Sequence, residues 1–185
     1  MLSVTVPEME FFDDAKQMFF SCKRTTLALE HSLVSLSKWE SKWKKPFLST
    51  KDSERTNEEI LDYIRCMTIT QNVSDNVYLA ISYNQEIIDQ ITDYINDPMT
   101  ATTVSNNGGP ITAFPKVVTS EVIYSWMIQH NIPVEFQKWH LNRLLTLIQV
   151  CNANNPQQRP MSKRDVAVQQ ARLNAERRRK YRTRG

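Results

Sequence analysis

A period-two alternation of hydrophobic and polar residues is confined to the start of the chain. Leu2–Val6 follows this pattern, which is typical of a half-buried strand, and Pro7 ends it. Two aromatic segments, at residues 10–13 and 18–22, flank the polar residues 14–17. We therefore predict two or three short strands that form a hairpin or meander. Because so small a sheet is marginally stable alone, we expect it to pack on the rest of the chain.

Beyond residue 25, apolar residues recur at the three-to-four-residue spacing of amphipathic helices. Thr26 is predicted to cap the first helix, whose apolar residues run from Leu29 to Trp39. Lysines near its end suit the negative end of the helix dipole, and Pro46 ends it.

Four further helices are predicted in the body. One follows a capping box at residues 56–59, one is opened by Ser82 and ends before Pro98, and one is capped by Thr119 and ends at Asn131. The last covers residues 134–152, with Pro133 just ahead of it. It is apolar nearly all round, which is typical of a helix in the centre of a bundle or in an interface.

These patterns divide the chain into three parts. Residues 1–24 are the predicted hairpin packed on the body, residues 25–155 the helical body, and residues 156–185 a linker and a basic C-terminal arm. The predicted fold class is mainly α (α+β), a helical bundle with a short N-terminal β-hairpin. A polar loop at residues 100–115 interrupts the body. Residues 162–165 can cap a last helix with few apolar residues, so we expect the arm to be flexible or helical.

Charge separates the arm from the body. Residues 159–185 hold ten Lys or Arg against two acidic residues, whereas the rest of the chain holds thirteen basic and eighteen acidic residues. Such asymmetry is typical of an arm that meets an acidic partner, which can be nucleic acid, a protein surface or a neighbouring copy. A solvated arm that aids solubility is the alternative. Because the body is acidic and offers no basic groove, a protein partner is favoured and nucleic acid is not.

Catalytic and metal-binding motifs are absent from the sequence. There is no HExxH, GxSxG, CxxC or glycine-rich phosphate loop, and the chain has only three glycines. Cys22, Cys66 and Cys151 are far apart and are expected to be reduced. We therefore expect a protein that is not an enzyme and has no cofactor and no metal. With no secretory signal and no long apolar segment, it is expected in the cytoplasm and not in a membrane.

Tryptophans supply the better clue to a binding role. Trp39 and Trp43 lie four residues apart among four lysines. Either one packs in the core while lysine side chains cover the other, or the pair forms a protein-binding surface. Stacking on single-stranded nucleic acid is a third alternative, which the acidic body disfavours. The candidate partner-binding residues are Trp39, Trp43, Trp139, Arg177, Arg178, Arg179, Lys180 and Arg182.

Four segments resemble a known family: residues 29–43, 64–68, 94–102 and 137–145. They are similar to small proteins encoded among the tail genes of siphophages and related prophages, which are commonly labelled tail assembly chaperones. The resemblance covers nearly the whole chain, including residues 161–164. It carries no individual binding residue over to this sequence.

The resemblance implies a helical protein of the host cytoplasm that coats the tape-measure protein until tail-tube subunits replace it. Such proteins are absent from the finished virion, and many exist in a short form and a frameshifted long form. Self-association around the client is expected, with the strand edges of residues 1–24 as one means. This chain ends in an arginine-rich arm where a long form has a recruiting domain. It is therefore either the short form or a chain whose arm recruits.

The expected function is accordingly a non-enzymatic phage tail assembly chaperone that binds the tape-measure protein and can also bind tail-tube subunits. Two alternatives from other classes stay open. A structural virion component, such as a connector or baseplate subunit, would persist in purified particles. A nucleic-acid-binding protein acting through the arm would lose affinity steeply with salt.

Overall fold

Helices make up most of the fold, and four short strands at the N-terminus pack on them. The computed structural model describes residues 1–13, 17–50, 55–102, 117–154 and 163–181. In these residues the strands are β1 Leu2–Val6, β2 Met9–Asp13, β3 Met18–Cys22 and β4 Thr25–Leu29. The helices are α1 Leu33–Trp43, α2 Asn57–Met67, α3 Asp75–Ser82, α4 Gln85–Asn96, α5 Ser120–Gln129, α6 Leu141–Asn154 and α7 Lys163–Tyr181, with 3-10 turns at Phe47–Ser49 and Val134–Lys138. The mainly α class with a short N-terminal hairpin is confirmed.

The strands form two antiparallel pairs, one nested inside the other along the chain. Strand β2 pairs with β3, and these two lie between β1 and β4, which pair with each other. The register places Val4 opposite Leu27 and Val6 opposite Thr25. Val4, Val6, Leu27 and Leu29 are buried, so the β1–β4 pair turns one face to the core.

Strand β4 corrects the predicted start of the first helix. The prediction that Thr26 caps this helix is wrong, because residues 25–29 are extended and pair with β1. Helix α1 begins at Leu33, where Ser32 and Ser35 form a reciprocal capping box. Leu27 and Leu29 are buried and lie two residues apart, so this segment fits the alternation of a strand as well as the spacing of a helix. Pairing with the distant strand β1 decides between the two.

Two other predicted helices differ from the structure. Ser82 is the last residue of α3 and does not open α4, whose cap is Asn84, with its side-chain oxygen accepting a hydrogen bond from the Ile87 N–H at 3.2 Å. The helix predicted for residues 134–152 is broken into a 3-10 turn and α6. The break has a long-range cause: the Leu141 N–H donates to the His31 carbonyl at 2.8 Å, and His140 forms a β-bridge with Ser32.

Two of the predicted helix starts, in contrast, agree with the structure. The box at residues 56–59 is confirmed: the Thr56 N–H donates to the Glu59 carboxylate at 2.9 Å, and the Glu59 N–H donates to the Thr56 hydroxyl at 3.2 Å. Thr119 takes the N-cap position of α5 as predicted, but its side chain makes no capping hydrogen bond. Residues 103–115 of the loop predicted at residues 100–115, and the linker residues 156–160, lie outside the described residues.

The core is built around α1 and α6. Leu33, Leu36 and Trp39 of α1 and Leu144 and Ile148 of α6 have no exposed surface. Leu141 of α6 is buried as well, whereas Leu145, Leu147, Val150 and Cys151 are half-buried, so this helix packs mainly through one side and keeps apolar surface on the others. None of the helices in the described part of the chain is both long enough and apolar enough to cross a membrane.

A buried carboxylate joins α1 to two distant segments. One oxygen of Glu40 accepts a hydrogen bond from the Phe47 N–H at 3.0 Å, and the other accepts from the Ser120 N–H at 2.7 Å. Ser120 is the first residue of α5, where main-chain N–H groups lack helical partners and the dipole is positive. Glu40 therefore fixes the 3-10 turn after α1 and the start of α5 in place.

Candidate protein-binding surfaces

Trp39 lies in the core. Its side chain is 0% exposed, and its indole N–H donates to the Glu59 carbonyl at 2.9 Å. Phe47 and Tyr63 meet its ring edge-on, with centroids 5.0 and 6.5 Å away. A side chain without exposed surface contacts no partner in this conformation, so the packing interpretation describes Trp39.

Trp43 lies beside Trp39 and is half-buried. Their ring centroids are 6.2 Å apart in a stacked arrangement. The Trp43 indole N–H donates to one Asp62 oxygen at 2.8 Å, and the Lys42 ammonium donates to the other at 2.5 Å. The same ammonium is 5.6 Å from the centre of the Trp43 ring. Lysine thus lies against this ring, which Trp39 and Asp62 also contact, and the side chain keeps only part of its surface exposed.

Two carboxylates of α2 hold the lysines around this pair. Burial raises the pKa of Asp62, but hydrogen bonds from Lys42 and Trp43 outweigh it and leave the pKa below its ordinary value. The hydrogen bond from Lys45, at 2.5 Å, lowers the pKa of Glu59. Both carboxylates are therefore ionised at neutral pH, and each forms an ion pair with a lysine that follows or precedes Trp43.

Trp139 belongs to a separate aromatic stack. It lies against Phe136 with centroids 4.0 Å apart, and the Arg143 guanidinium is 4.2 Å from its ring centre. It is half-buried and sits at the break between the 3-10 turn and α6. The structure thus brings Trp39 and Trp43 together and places Trp139 in a different cluster.

The basic candidates belong to α7. Arg177 and Arg178 are exposed, Arg179 and Lys180 fall in the same last turns of the helix, and Arg182 lies outside the described residues. The cations in the last turns of α7 lie at the negative end of the helix dipole, which favours the helix there. The arm is accordingly helical over residues 163–181.

The hairpin of β2 and β3 carries an exposed aromatic pair that the candidate residues above do not include. Phe12 and Phe19 face each other in the register with centroids 4.9 Å apart, and they are 38% and 79% exposed. Met18, at the end of β3, is 57% exposed. Because neighbouring strand residues point to opposite faces, Met18 does not share the face of Phe19, and we call Phe12 and Phe19 the hairpin patch.

A sequence signal for the hairpin patch exists in its two phenylalanine doublets. Neighbouring residues of a strand point to opposite faces. Phe11 and Phe20 stack on each other at 5.9 Å, and Phe11 also contacts Tyr83 at 5.3 Å. When one member of each doublet packs on the body, the other must face away from it. The doublets therefore predict an aromatic outer face once the hairpin is placed.

Two histidines form a buried polar cluster with two tyrosines. The Tyr63 hydroxyl is 2.6 Å from His31 Nδ1, and the His140 ring packs on His31 with centroids 5.1 Å apart. His140 Nε2 lies 3.0 Å from the Tyr94 carbonyl, and the Tyr94 hydroxyl donates to Glu30 at 2.6 Å. The cluster ties α2, α4 and the start of α6 to the segment before α1.

Burial sets the protonation of this cluster. It lowers the pKa of His31 to about 3, with His140 adding to the effect. Burial also lowers the pKa of His140, against the opposing hydrogen bond to the Tyr94 carbonyl. Both imidazoles are therefore neutral at pH 7 and enclosed, which suits them to holding segments together. Among the described residues no group of three or more His, Cys, Asp and Glu is placed to hold a metal ion.

The comparison of the chain with known protein families, with curated proteins and with solved structures finds no match in any of the three. The roles of its residues therefore rest on its own sequence and geometry.

Proposed function

We propose that this chain is a non-enzymatic assembly chaperone of a phage tail, which binds the tape-measure protein in the host cytoplasm. The hairpin patch is the observation that carries the proposal. The resemblance of four sequence segments to tail assembly chaperones names the client. A protein that shields a long apolar helical client needs apolar surface that is open in the free chain, and the hairpin patch has this property.

The hairpin patch has the chemistry of a binding hot spot. Large aromatic side chains dominate interface energetics, since each can bury about 150–250 Å². At about 25 cal/mol per Å² of apolar surface, covering Phe19 alone is worth several kcal/mol before association losses. Phe12 and Phe19 form one continuous surface because they are cross-strand neighbours. Trp43 and Trp139, which are half-buried, are secondary contact residues in this proposal.

Co-expression with the tape-measure protein of the same gene cluster tests this proposal. We expect the tape-measure protein to be recovered in soluble form together with this chain, and to be insoluble without it. The double variant Phe12→Ser/Phe19→Ser should lose this co-purification. The matched control is Ile128→Ser/Val134→Ser, which removes two apolar side chains that are 77% and 58% exposed in another part of the chain.

Three results would count against the proposal. One is failure of the unchanged chain to recover the tape-measure protein. Another is equal recovery with the hairpin double variant. The third is the presence of this chain in purified virions by mass spectrometry, which would favour a structural component of the particle. Co-expression with tail-tube protein alone shows whether the tube subunit is a second client.

A further inference from the structure

Helix α4 carries an exposed face on which every charged residue is acidic. Glu86, Asp89 and Asp93 are spaced by three and four residues, so they lie on one side of the helix, and all three are exposed. The helix has no Lys or Arg. None of these three carboxylates takes part in an ion pair with another described residue. We call Glu86, Asp89 and Asp93 the acidic face.

A depression continues the acidic face toward the strands. It has a volume of about 600 Å³ and is lined by Glu8 and Glu86, with Gln90 and Ile87 from α4, and Arg24 is the one basic residue among the described residues that line it. Two carboxylates at one opening, beside an amide and apolar surface, match the guanidinium group, which donates several hydrogen bonds in one plane. The depression is therefore suited to an arginine side chain.

Helix α7 presents the opposite charge on an equally open surface. Every α7 side chain that the structure describes is exposed, including Arg164, Arg172, Arg177 and Arg178. Its 19 residues span about 28 Å, which exceeds the length of about 18 Å of the 12-residue α4. A helix whose described side chains are all exposed gains little stability from packing, so docking would also stabilise α7.

We propose that α7 of one copy of this chain binds the acidic face of α4 in a second copy, with an arginine side chain entering the depression. Charge complementarity within one sequence carries this proposal, since the arm is strongly basic and the rest of the chain is acidic. Within a single copy, the described side chains of α7 and the acidic face are both exposed, so each surface is open to bind the other on a second molecule. The inference does not depend on the identity of any client.

Reciprocal charge reversal in the full-length chain tests the contact. Variant one is Arg177→Glu/Arg178→Glu in α7, and variant two is Glu86→Lys/Asp93→Lys in α4. The control variant, Glu58→Lys/Glu135→Lys, makes the same charge change at exposed acids of other segments. Sedimentation velocity measures association over a range of concentrations, and circular dichroism melting shows that each variant is folded.

The expected pattern is specific to this pairing of surfaces. The unchanged chain and the control should associate at low salt, and their dissociation constants should rise about tenfold or more between about 50 mM and about 500 mM salt. Variants one and two should each be monomeric alone. Mixed in equal amounts they should form a complex, because each then meets a partner of opposite charge.

Any other pattern overturns the proposal. If the wild-type chain is monomeric at low salt, the contact forms within one copy or does not form at all. Association that survives either reversal places the interface elsewhere. Failure of the mixture to associate removes the pairing of α7 with α4. If only variant one changes behaviour, and full-length chain binds duplex DNA through the same arginines, then α7 serves nucleic acid instead.

Discussion

We expect acidification from about pH 7 to about pH 5 to destabilise the fold, because His31 cannot accept a proton where it lies. Its Nδ1 atom meets the Tyr63 hydroxyl at 2.6 Å, and the His140 ring packs on it at 5.1 Å. Burial lowers the pKa of His31 from 6.5 to about 3. The unfolded chain, with an ordinary histidine there, binds a proton below about pH 6.5, whereas the folded chain does not.

The sign and size of the effect follow from this difference in proton binding. The pKa of His31 is depressed in the folded state. Its contribution to stability is therefore fully present above the unfolded pKa of 6.5 and is lost as the pH falls toward about 3. One proton corresponds to about 1.4 kcal/mol per pH unit, so His31 alone removes about 2 kcal/mol at about pH 5. The lowered pKa of His140 acts in the same direction.

Urea unfolding followed by tryptophan fluorescence measures this loss. The variant His31→Gln should be less stable at pH 7 but should lose about 2 kcal/mol less than wild type on acidification to about pH 5. Tyr63→Phe is the control: it removes the hydrogen bond but leaves the burial, so most of the pH dependence should remain. Equal pH dependence in wild type and His31→Gln would refute the assignment of this effect to His31.

Three further predictions concern stability at neutral pH. Glu40→Gln should lower the free energy of unfolding, measured with urea, by about 1–3 kcal/mol, because an amide N–H₂ group then faces a main-chain N–H. No loss would contradict the conclusion that Glu40 holds these segments together. Trp39→Ala should lower the free energy of unfolding by about 3–5 kcal/mol, and Trp43→Ala by clearly less, as measured by circular dichroism. The reverse order would contradict the greater burial of Trp39. Phe19→Ser should change stability by less than about 1 kcal/mol in the same measurement, and a larger loss would mean that Phe19 packs on the body.

What the sequence predicted depends on how far apart the interacting residues are. The box at Thr56 and Glu59 was predicted correctly, because its two hydrogen bonds join residues three positions apart. The strand at residues 25–29 and the break at His140 were not, because their partners are β1 and the His31–Ser32 segment. Their local patterns fit a helix, and pairing with residues 19 or more positions away overrides them.

The binding surfaces show the same limit. The spacing of Trp39 and Trp43 places them on one side of α1, but the position of α2 decides which of them is buried. The phenylalanine doublets predict an aromatic outer face only if the packed face of the hairpin is known. Tyr83, which contacts Phe11, defines that face and lies more than seventy residues along the chain.

The nested arrangement of the strands makes the hairpin patch a separable part of the molecule. Val6 and Thr25 are register partners, so the chain leaves the β1–β4 pair and returns to it at adjacent positions. A two-residue Asn-Gly turn can join these ends in place of residues 7–24. Each doubling of the length of the segment between them adds only about 0.6 kcal/mol of loop-closure entropy. Residues 7–24 thus form one insertion within the β1–β4 pair, which another chain with this core can exchange as a unit if the replacement keeps an aromatic residue against Tyr83 and a small apolar residue at the buried position of Cys22.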